Sequence, residues 1–337
     1  MPRRRIALTV VSLACFAILL AGCSESRHEA AEKYFLVATN IKIPYWQAAA
    51  AGFAAAGKEL GVKYDFVGPE SYDAKAEVAE FRRILSSKPA PTGILVSPAD
   101  PAAMRPEIDR AVAQGIPVIT IDSDSKDSKR LLYIGTDNYD AGEMAARVAA
   151  NQLKGKGNVV IYTMPGQANL DDRLRGYKDV FAAYPQIKIT EVVDVKGNPA
   201  TAFDKTMEIV EKTPAAVDAF ACLVSFACKE VAEVLDRKRV SGKVIIGMDA
   251  EDLTLEWVRK GGIAATVVQK PFTMAFTGLK ILDDFYHHKP KSLDAKWADD
   301  PFSPIPVFVD TGATLVDKTN VDAFLRARSS ATAGKGN

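Results

Sequence analysis

The sequence contains few of the residues on which most catalytic and nucleic-acid-binding sites depend. Among its 337 residues there are three histidines and four cysteines, and 43 basic residues are balanced by 42 acidic ones, so the net charge is +1. This balance offers no basic excess to nucleic acid or to an anionic membrane surface. No G-x-S-x-G motif and no metal-spaced set of Cys and His occurs. The run Gly155-Lys156-Gly157 precedes a predicted strand, so it is not a phosphate-binding loop.

A long apolar run occurs at the N-terminus. Three consecutive arginines precede Ile6–Leu20, whose length is typical of an export signal and short for a membrane span. The run ends in Leu-Ala-Gly directly before Cys23, which resembles the lipobox of bacterial lipoproteins, whose cysteine becomes N-terminal and carries the lipid. The alternative is a plain secretory signal in which Cys23 is incidental. We predict a signal peptide over residues 1–22, lipidation at Cys23, a polar tether over residues 23–32, and a protein anchored in the periplasm or at the cell surface.

After the tether, short apolar runs alternate with amphipathic runs along most of the chain. Such alternation predicts an α/β fold in which parallel sheets are covered by helices on both faces. About ten strands over roughly 270 residues favour two sheets rather than one.

The stretch Tyr34–Leu60 shows the pattern most clearly. An apolar run predicts a buried strand, and after a polar turn an Ala-rich run predicts a helix that begins at Pro44 and ends before Gly61. Tyr45 and Trp46 therefore lie at the carboxyl end of a strand, where open α/β sheets bind ligands. Either both aromatic rings pack into the core, or at least one forms a flat platform for a ligand.

Two carboxylates follow their strands directly. Asp122 ends the phrase IPVITID and Asp249 ends the parallel phrase KVIIGMD. A carboxylate in that position points from the edge of a sheet into whatever crevice the edge faces. Asp100 and Asp124 also follow strands, but we expect them to cap helices.

The segment Gly166–Gly176 offers two arginines to the same region. Arg173 and Arg175 either form surface ion pairs with neighbouring aspartates or turn one guanidinium into the crevice, where its fixed fork of donors binds hydroxyl or carboxylate oxygens.

Two cysteines, Cys222 and Cys228, belong to the part of the chain that is expected to fold. Export permits a disulfide between them. We expect Cys222 to end a strand and Cys228 to lie in the next helix, and we favour small buried thiols, because a bridge requires Cα atoms within roughly 7 Å.

Several short motifs resemble one family through their order and spacing. The motifs are Pro44-Tyr45-Trp46, Ser97-Pro98-x-Asp100, Gly-Ile-Pro-Val-Ile-Thr-x-Asp122, Ile134-Gly-x-Asp-Asn138, Arg173-x-Arg175-Gly176, Ile246-Gly-x-Asp249 and Thr266-x-x-Gln269-x-Pro271. From about Lys33 to Val321 the chain resembles the periplasmic ribose-binding protein and its relatives, the type I sugar-binding proteins of ABC importers, to which the lactose-repressor core is related. The resemblance implies two Rossmann-like lobes that are joined by three crossings and trap a sugar between them.

The resemblance also implies the domain boundaries. The amino-terminal lobe would comprise residues 33–136 plus 270–301, and the carboxyl-terminal lobe residues 137–269 plus 302–325. The crossings would fall near Asp137, Gln269 and Pro301. We expect residues 326–337 to form a loose tail.

The family's ligand contacts transfer to this sequence with gaps. By resemblance, Tyr45 and Trp46 stack on the sugar ring, Asp122 and Asp249 accept from its hydroxyls, Arg173 donates to it, and Gln269 is the hinge glutamine. The expected ligand-binding residues are Thr39, Tyr45, Trp46, Asp122, Arg173, Ser225, Asp249 and Gln269. Polar residues that are frequent in the family are replaced here by Ile43, by Ser123 and by the run Leu223–Phe226. Two or three polar contacts are thereby lost, which leaves a deoxy sugar, a polyol or a modified sugar open as the ligand.

The function that the resemblance implies needs neither catalysis nor a cofactor. A monomeric protein would bind a sugar or polyol by closing its lobes, and an ABC permease in the membrane would recognise the closed form. One alternative is a sensor that presents the ligand to a chemoreceptor or kinase. A more remote one is a glycoside-processing enzyme with two acids across its cleft. The export signal and the lack of a helix-turn-helix segment disfavour a DNA-binding repressor.

Overall fold

The computed structural model describes residues 28–288 and 305–333. The predicted signal peptide, Cys23, the start of the tether, residues 289–304 and residues 334–337 lie outside the described ranges. Within the described ranges no helix combines the length and the apolar character that a membrane span requires.

The described chain folds into two α/β lobes. The first stretch of the first lobe comprises β1 Lys33–Val37, α1 Pro44–Leu60, β2 Lys63–Val67, α2 Ala74–Leu85, β3 Gly93–Val96, α3 Pro101–Ala113, β4 Val118–Ile121 and β5 Tyr133–Gly135. The second lobe begins with α4 Asn138–Gln152, β6 Lys156–Thr163, α5 Ala168–Ala182, β7 Gln186–Asp194, α6 Pro199–Lys212, β8 Ala219–Cys222, α7 Ala227–Arg237, β9 Val244–Met248, α8 Asp252–Lys260 and β10 Ala265–Val268. The remaining elements are α9 Pro271–His287, β11 Phe308–Asp310, β12 Thr314–Asp317 and α10 Val321–Ala333.

Each lobe contains a six-stranded sheet, with strand orders β11-β5-β4-β3-β1-β2 and β12-β10-β9-β8-β6-β7. All pairings are parallel except that of β12 with β10. Helices cover both faces of the first sheet, as the alternating side chains of β1 show. Tyr34 and Leu36 pack with α1 and α9, whereas Phe35 and Val37 pack with α2 and α3. The predicted fold class, two lobes built on parallel sheets, is confirmed.

The chain passes between the lobes three times, after β5, after β10 and after β11. The first and third connections are hydrogen-bonded, because Asp137 N donates to Asp310 Oδ1 at 3.1 Å and Thr311 N donates to the Gly135 carbonyl at 2.7 Å. The expectation of a third crossing near Pro301, with residues 302–325 wholly in the second lobe, is wrong for β11, which pairs with β5 in the first sheet. A strand of three residues carries too little pattern to reveal its sheet.

Both ends of the described chain are more ordered than expected. Helix α10 continues to Ala333, and Arg328 Nη2 donates to Asp252 Oδ1 at 2.6 Å, so the prediction of a loose tail from residue 326 is wrong for this stretch. The last residues of the predicted tether also pack on the first lobe, where the Glu32 side chain is buried.

Cys222 and Cys228 form a disulfide, so the preference for free thiols is wrong. Cys222 does end β8 and Cys228 does lie in α7, as predicted. However, the short turn between the two elements brings the Cα atoms to 5.7 Å, which is inside the range for a bridge.

Candidate ligand-binding site

The two predicted carboxylates share an uncommon backbone conformation. Asp122 follows β4 and Asp249 follows β9, and their φ angles of 62° and 68° lie in the left-handed region. A hydroxyl from the neighbouring strand holds each backbone carbonyl: Tyr133 Oη donates to the Asp122 carbonyl at 2.7 Å and Thr266 Oγ1 to the Asp249 carbonyl at 2.8 Å. Such conformations cost roughly 1–3 kcal/mol and concentrate at functional sites. The similar sequences that end in Asp122 and Asp249 therefore form the same local structure, once in each lobe.

Asp122 lies where the lobes meet. Within the first lobe its carboxylate accepts from the Tyr45 hydroxyl at 2.6 Å and from the Ser97 hydroxyl at 3.2 Å. From the second lobe, Asn169 Nδ2 donates to Asp122 Oδ2 at 3.3 Å. The carboxylate therefore joins the two halves of the cleft.

Arg173 is buried in the second lobe and points into the cleft. Its Nε donates to Asn138 Oδ1 at 2.8 Å and its Nη1 to the Leu223 carbonyl at 2.7 Å, so the plane of the guanidinium is fixed. Its Nη2 is buried and has no hydrogen-bond partner among the described residues.

Two glycines allow α5 to approach α4 closely and thereby place Arg173. A Cβ atom added at Gly142 would lie 2.2 Å from the Arg173 carbonyl oxygen, and one added at Gly176 would lie 2.4 Å from the Tyr139 carbonyl oxygen. Neither contact is sterically possible, so the close packing of α4 and α5 requires glycine at both positions. The position of the Arg173 guanidinium therefore depends on Gly142 and Gly176.

Burial and charge act against each other in this cluster. Burial raises the pKa of the Asp122 carboxyl above its ordinary value and raises that of Asp249 to about 7, while the nearby Arg173 guanidinium lowers both. Gln269 Nε2 donates to Asp249 Oδ1 at 3.1 Å, whereas Gln269 Oε1 is buried without a partner among the described residues. Asp122 and Asp249 therefore interact electrostatically with the same guanidinium, that of Arg173. Gln269 Oε1 is a further polar atom of the cleft without a partner among the described residues.

Two cavities flank this cluster. One of about 510 Å³ is lined by residues of both lobes that include Tyr45, Asp249 and Gln269. The other, of about 800 Å³, is lined by residues that include Asn138 and Asn169. Both volumes are in the range of small-molecule sites. Asp122 and Arg173 line neither cavity, but each is hydrogen-bonded to residues that do.

The two adjacent aromatics have different surroundings. Trp46 is 2% exposed and packs in the hydrophobic core of the first lobe, where its Nε1 donates to Thr39 Oγ1 at 3.0 Å. Tyr45 stands edge-on to Trp46, with ring centroids 5.2 Å apart, and its hydroxyl reaches Asp122. Trp46 therefore packs against Tyr45 and is itself held by Thr39. Ser225, the last of the expected ligand-binding residues, is buried in the loop between β8 and α7.

The remaining charged candidates divide as follows. Asp100 caps α3 as predicted, since its side chain accepts from the Ala102 and Ala103 amides. The expectation that Asp124 caps a helix is wrong, because its carboxylate pairs with the buried Arg130 instead. Arg175 lies on the surface, where its Nη1 is 3.0 Å from Asp172 Oδ1.

Three residues that complete the cluster have no role that the sequence predicted. Asn138 holds Arg173, while Asn169 and Ser97 donate to Asp122. Two of them, Ser97 and Asn138, belong to motifs that carried the family resemblance, so their presence there was the available signal. Asn169 lies in α5 close to Arg173 and had no comparable signal.

Two α/β lobes, three connections and a polar cluster drawn from both lobes define a two-lobed ligand-binding protein. The chain belongs to the periplasmic binding protein domain family, whose model matches residues 34–289. The resemblance drawn from the motifs is thereby confirmed.

Individual relatives agree with this assignment. The D-allose-binding periplasmic protein of Escherichia coli K12 is 26% identical over 266 residues, which cover 76% of this chain and 85% of that protein. The structure of AraP, an arabinose-binding protein of Geobacillus stearothermophilus, is 31% identical with a TM-score of 0.72 and covers 87% of this chain and 99% of its own. An ABC transporter solute-binding protein of Burkholderia graminis in complex with D-arabinose is 26% identical with a TM-score of 0.78 and covers 87% and 98%.

Proposed function

We propose that this protein binds a sugar or a sugar-like polyol between its lobes and presents it to the permease of an ABC importer. The observation that carries the proposal is the position of Arg173, which is buried, lowers the pKa of the acids of both lobes, and keeps its Nη2 without a partner among the described residues. The sugars named for the relatives support the same ligand class.

The chemistry of the cluster suits a polyhydroxylated ligand. Asp122 and Asp249 accept hydrogen bonds from hydroxyl groups, and Arg173 donates to ring or hydroxyl oxygens. Hydrogen bonds with one charged partner contribute roughly 1.5–3 kcal/mol each. Three such groups, with Tyr45 against an apolar face of the ring, can offset the costs of ordering and lobe closure.

Closure follows from the division of contacts between the lobes. Tyr45 and Asp122 belong to the first lobe, and Arg173 and Asp249 to the second, so a ligand that binds all of them favours the closed form. Tyr72 of the first lobe also packs against Gly197 of the second, where an added Cβ would lie 2.4 Å from the Tyr72 Cβ. The closed surface is the form that a permease would recognise.

A thermal-shift screen of pentoses, hexoses, deoxy sugars and polyols tests the proposal, because a ligand that binds only the folded protein raises its melting temperature. We expect a hit with the wild type that disappears in Arg173→Met. Arg147→Met is the control, since this arginine is exposed on α4, pairs with Glu143 and lines neither cavity. A hit that survives Arg173→Met, or no hit across the screen, would contradict the proposed cleft chemistry.

An enzyme that acts on glycosides is the second function to test, because two acids face one cleft. The family consists of binding proteins. Incubation of the protein with the sugar found in the screen and with its aryl glycosides should release no product.

We further propose that Cys23 carries a lipid that anchors the protein outside the cytoplasm. The apolar run and the Leu-Ala-Gly-Cys sequence support this proposal. In cells, the wild type should fractionate with membranes and Cys23→Ser should not.

A further inference from the structure

A second cluster of titratable side chains lies on the first lobe, at the edge of the sheet opposite to the cleft. It consists of His28 and Glu32, which precede β1, and Asp283 and His287, which lie in the last turns of α9. Two of the three histidines in the sequence are therefore brought together although they lie near opposite ends of the chain. The ligand-binding function described above uses none of these residues.

The four side chains turn their polar atoms toward one point. His28 Nε2 lies 2.9 Å from Asp283 Oδ1, and His287 Nε2 lies 3.1 Å from Glu32 Oε2 and 3.7 Å from Asp283 Oδ1. One ligand atom from each residue lies within 4.8 Å of those of the others. A tetrahedral Zn²⁺ with bonds of about 2.0–2.1 Å holds its ligand atoms roughly 3.3 Å apart, so the observed distances bracket the required spacing.

The charges of the cluster also call for a cation. The side chains of Glu32 and Asp283 are only 2% and 3% exposed. Within the described ranges neither carboxylate pairs with a lysine or arginine, and both face histidines. With both imidazoles in the neutral form that metal binding requires, the two buried carboxylates give the cluster a charge of about −2, which one divalent ion neutralises. Imidazole ligands favour zinc and its neighbours over calcium or magnesium.

Outer contacts orient the carboxylates. The hydroxyl of the fully buried Tyr34 donates to Asp283 Oδ1 at 3.0 Å, and the Glu29 amide donates to Glu32 Oε1 at 2.6 Å. Hydrogen bonds of this kind fix ligand orientation in metal sites.

We propose that His28, Glu32, Asp283 and His287 bind a divalent transition-metal ion of the zinc class. The ion joins the segment that precedes β1 to the end of α9. Because His28 follows the predicted lipid-bearing Cys23 by only five positions, the ion fastens the base of the anchor to the folded lobe.

Titration of the chelator-stripped full chain with Zn²⁺ against a chromophoric chelator tests the proposal. The protein is purified in detergent without a polyhistidine tag. We expect one site per chain, whose affinity falls in His28→Gln and His287→Gln by more than the roughly 10- to 100-fold that loss of an outer contact costs. His288→Gln is the matched control and should bind as the wild type, because His288 is exposed and pairs with Asp284 outside the cluster.

Two further measurements distinguish this site from adventitious binding and from misfolding. Co²⁺ in place of Zn²⁺ should give the visible absorption of a tetrahedral nitrogen and oxygen site in the wild type and in His288→Gln. Tyr34→Phe, which keeps all four ligands, should weaken Zn²⁺ roughly 10- to 100-fold. If the histidine variants fail to fold, the affinity of Tyr34→Phe for Zn²⁺ tests the proposed site instead. No binding by the wild type, or binding that is unchanged in the folded variants, would overturn the proposal while leaving sugar binding unaffected.

Discussion

Replacement of Asp249 by asparagine should stabilise the ligand-free protein while impairing its function. Burial raises the pKa of this carboxyl from 3.8 to about 7 in the folded state, even with Arg173 and Gln269 lowering it. The folded state therefore binds the proton more tightly than the unfolded state does, so the ionised carboxylate opposes folding. This unfavourable contribution is absent below about pH 4, grows between pH 4 and pH 7, and is complete above that range.

A rise in the pKa of this size corresponds to roughly 4 kcal/mol at pH 8. Opening of the lobes hydrates the carboxylate and relieves part of the penalty, so we expect Asp249→Asn to raise the free energy of unfolding by about 1–3 kcal/mol at pH 8. At pH 4 the gain should vanish, because the wild-type carboxyl is then protonated. Affinity for the sugar should fall about 10- to 150-fold at pH 8, since one charged hydrogen bond is lost.

Urea unfolding of the ligand-free wild type and variant at pH 4 and pH 8 measures the difference. Asp204→Asn is the matched control: this aspartate is exposed on α6, and its replacement should change stability by no more than about 0.5 kcal/mol at either pH. A gain from Asp249→Asn that is equal at the two pH values, or a loss at pH 8, would refute the assignment of a buried, proton-binding carboxyl.

Two further predictions concern the spacing of helices α4 and α5 beside the cleft and the disulfide of the second lobe. Gly142→Ala should lower sugar affinity at least tenfold in calorimetry without unfolding the protein. The added methyl would lie 2.2 Å from the Arg173 carbonyl oxygen and must displace α5. Unchanged affinity would mean that the spacing of α4 and α5 does not determine the position of the Arg173 guanidinium. Reduction of the Cys222–Cys228 disulfide should lower the free energy of unfolding by about 2 kcal/mol, the value for a loop of this length. The double variant Cys222→Ser/Cys228→Ser should show the same loss of stability without reductant. Equal urea midpoints for oxidised and reduced protein would contradict a stabilising role of the disulfide.

Much of the architecture was predictable because parallel sheets with covered faces leave a strong periodic signal. The phrases that end in Asp122 and Asp249 each combine an apolar strand with a carboxylate directly after it, and both side chains lie at the cleft as expected. The choice between the two arginines of α5 was open on residue evidence alone. Residues two apart lie on different faces of a helix, and the sequence does not say which face is covered.

Other features depend on contacts that local patterns do not encode. The assignment of β11 to the first sheet depends on pairing between residues that are 175 positions apart in the chain. The Cys222–Cys228 bridge depends on the conformation of a four-residue turn. The cluster around His28 and Asp283 shows only an i,i+4 pair in each half, and no local pattern indicates that these halves, 255 residues apart, meet in the fold.

The central claim is that one ligand is held by both lobes together, and calorimetric titration of two single variants tests it most directly. Asp122→Asn removes a carboxylate from the first lobe and Arg173→Met removes the guanidinium from the second. With the sugar or polyol identified by thermal shift, we predict one site per chain in the wild type and a loss of affinity of about 10- to 150-fold or more in each variant. Full affinity in either variant would show that one lobe suffices, and would contradict the account.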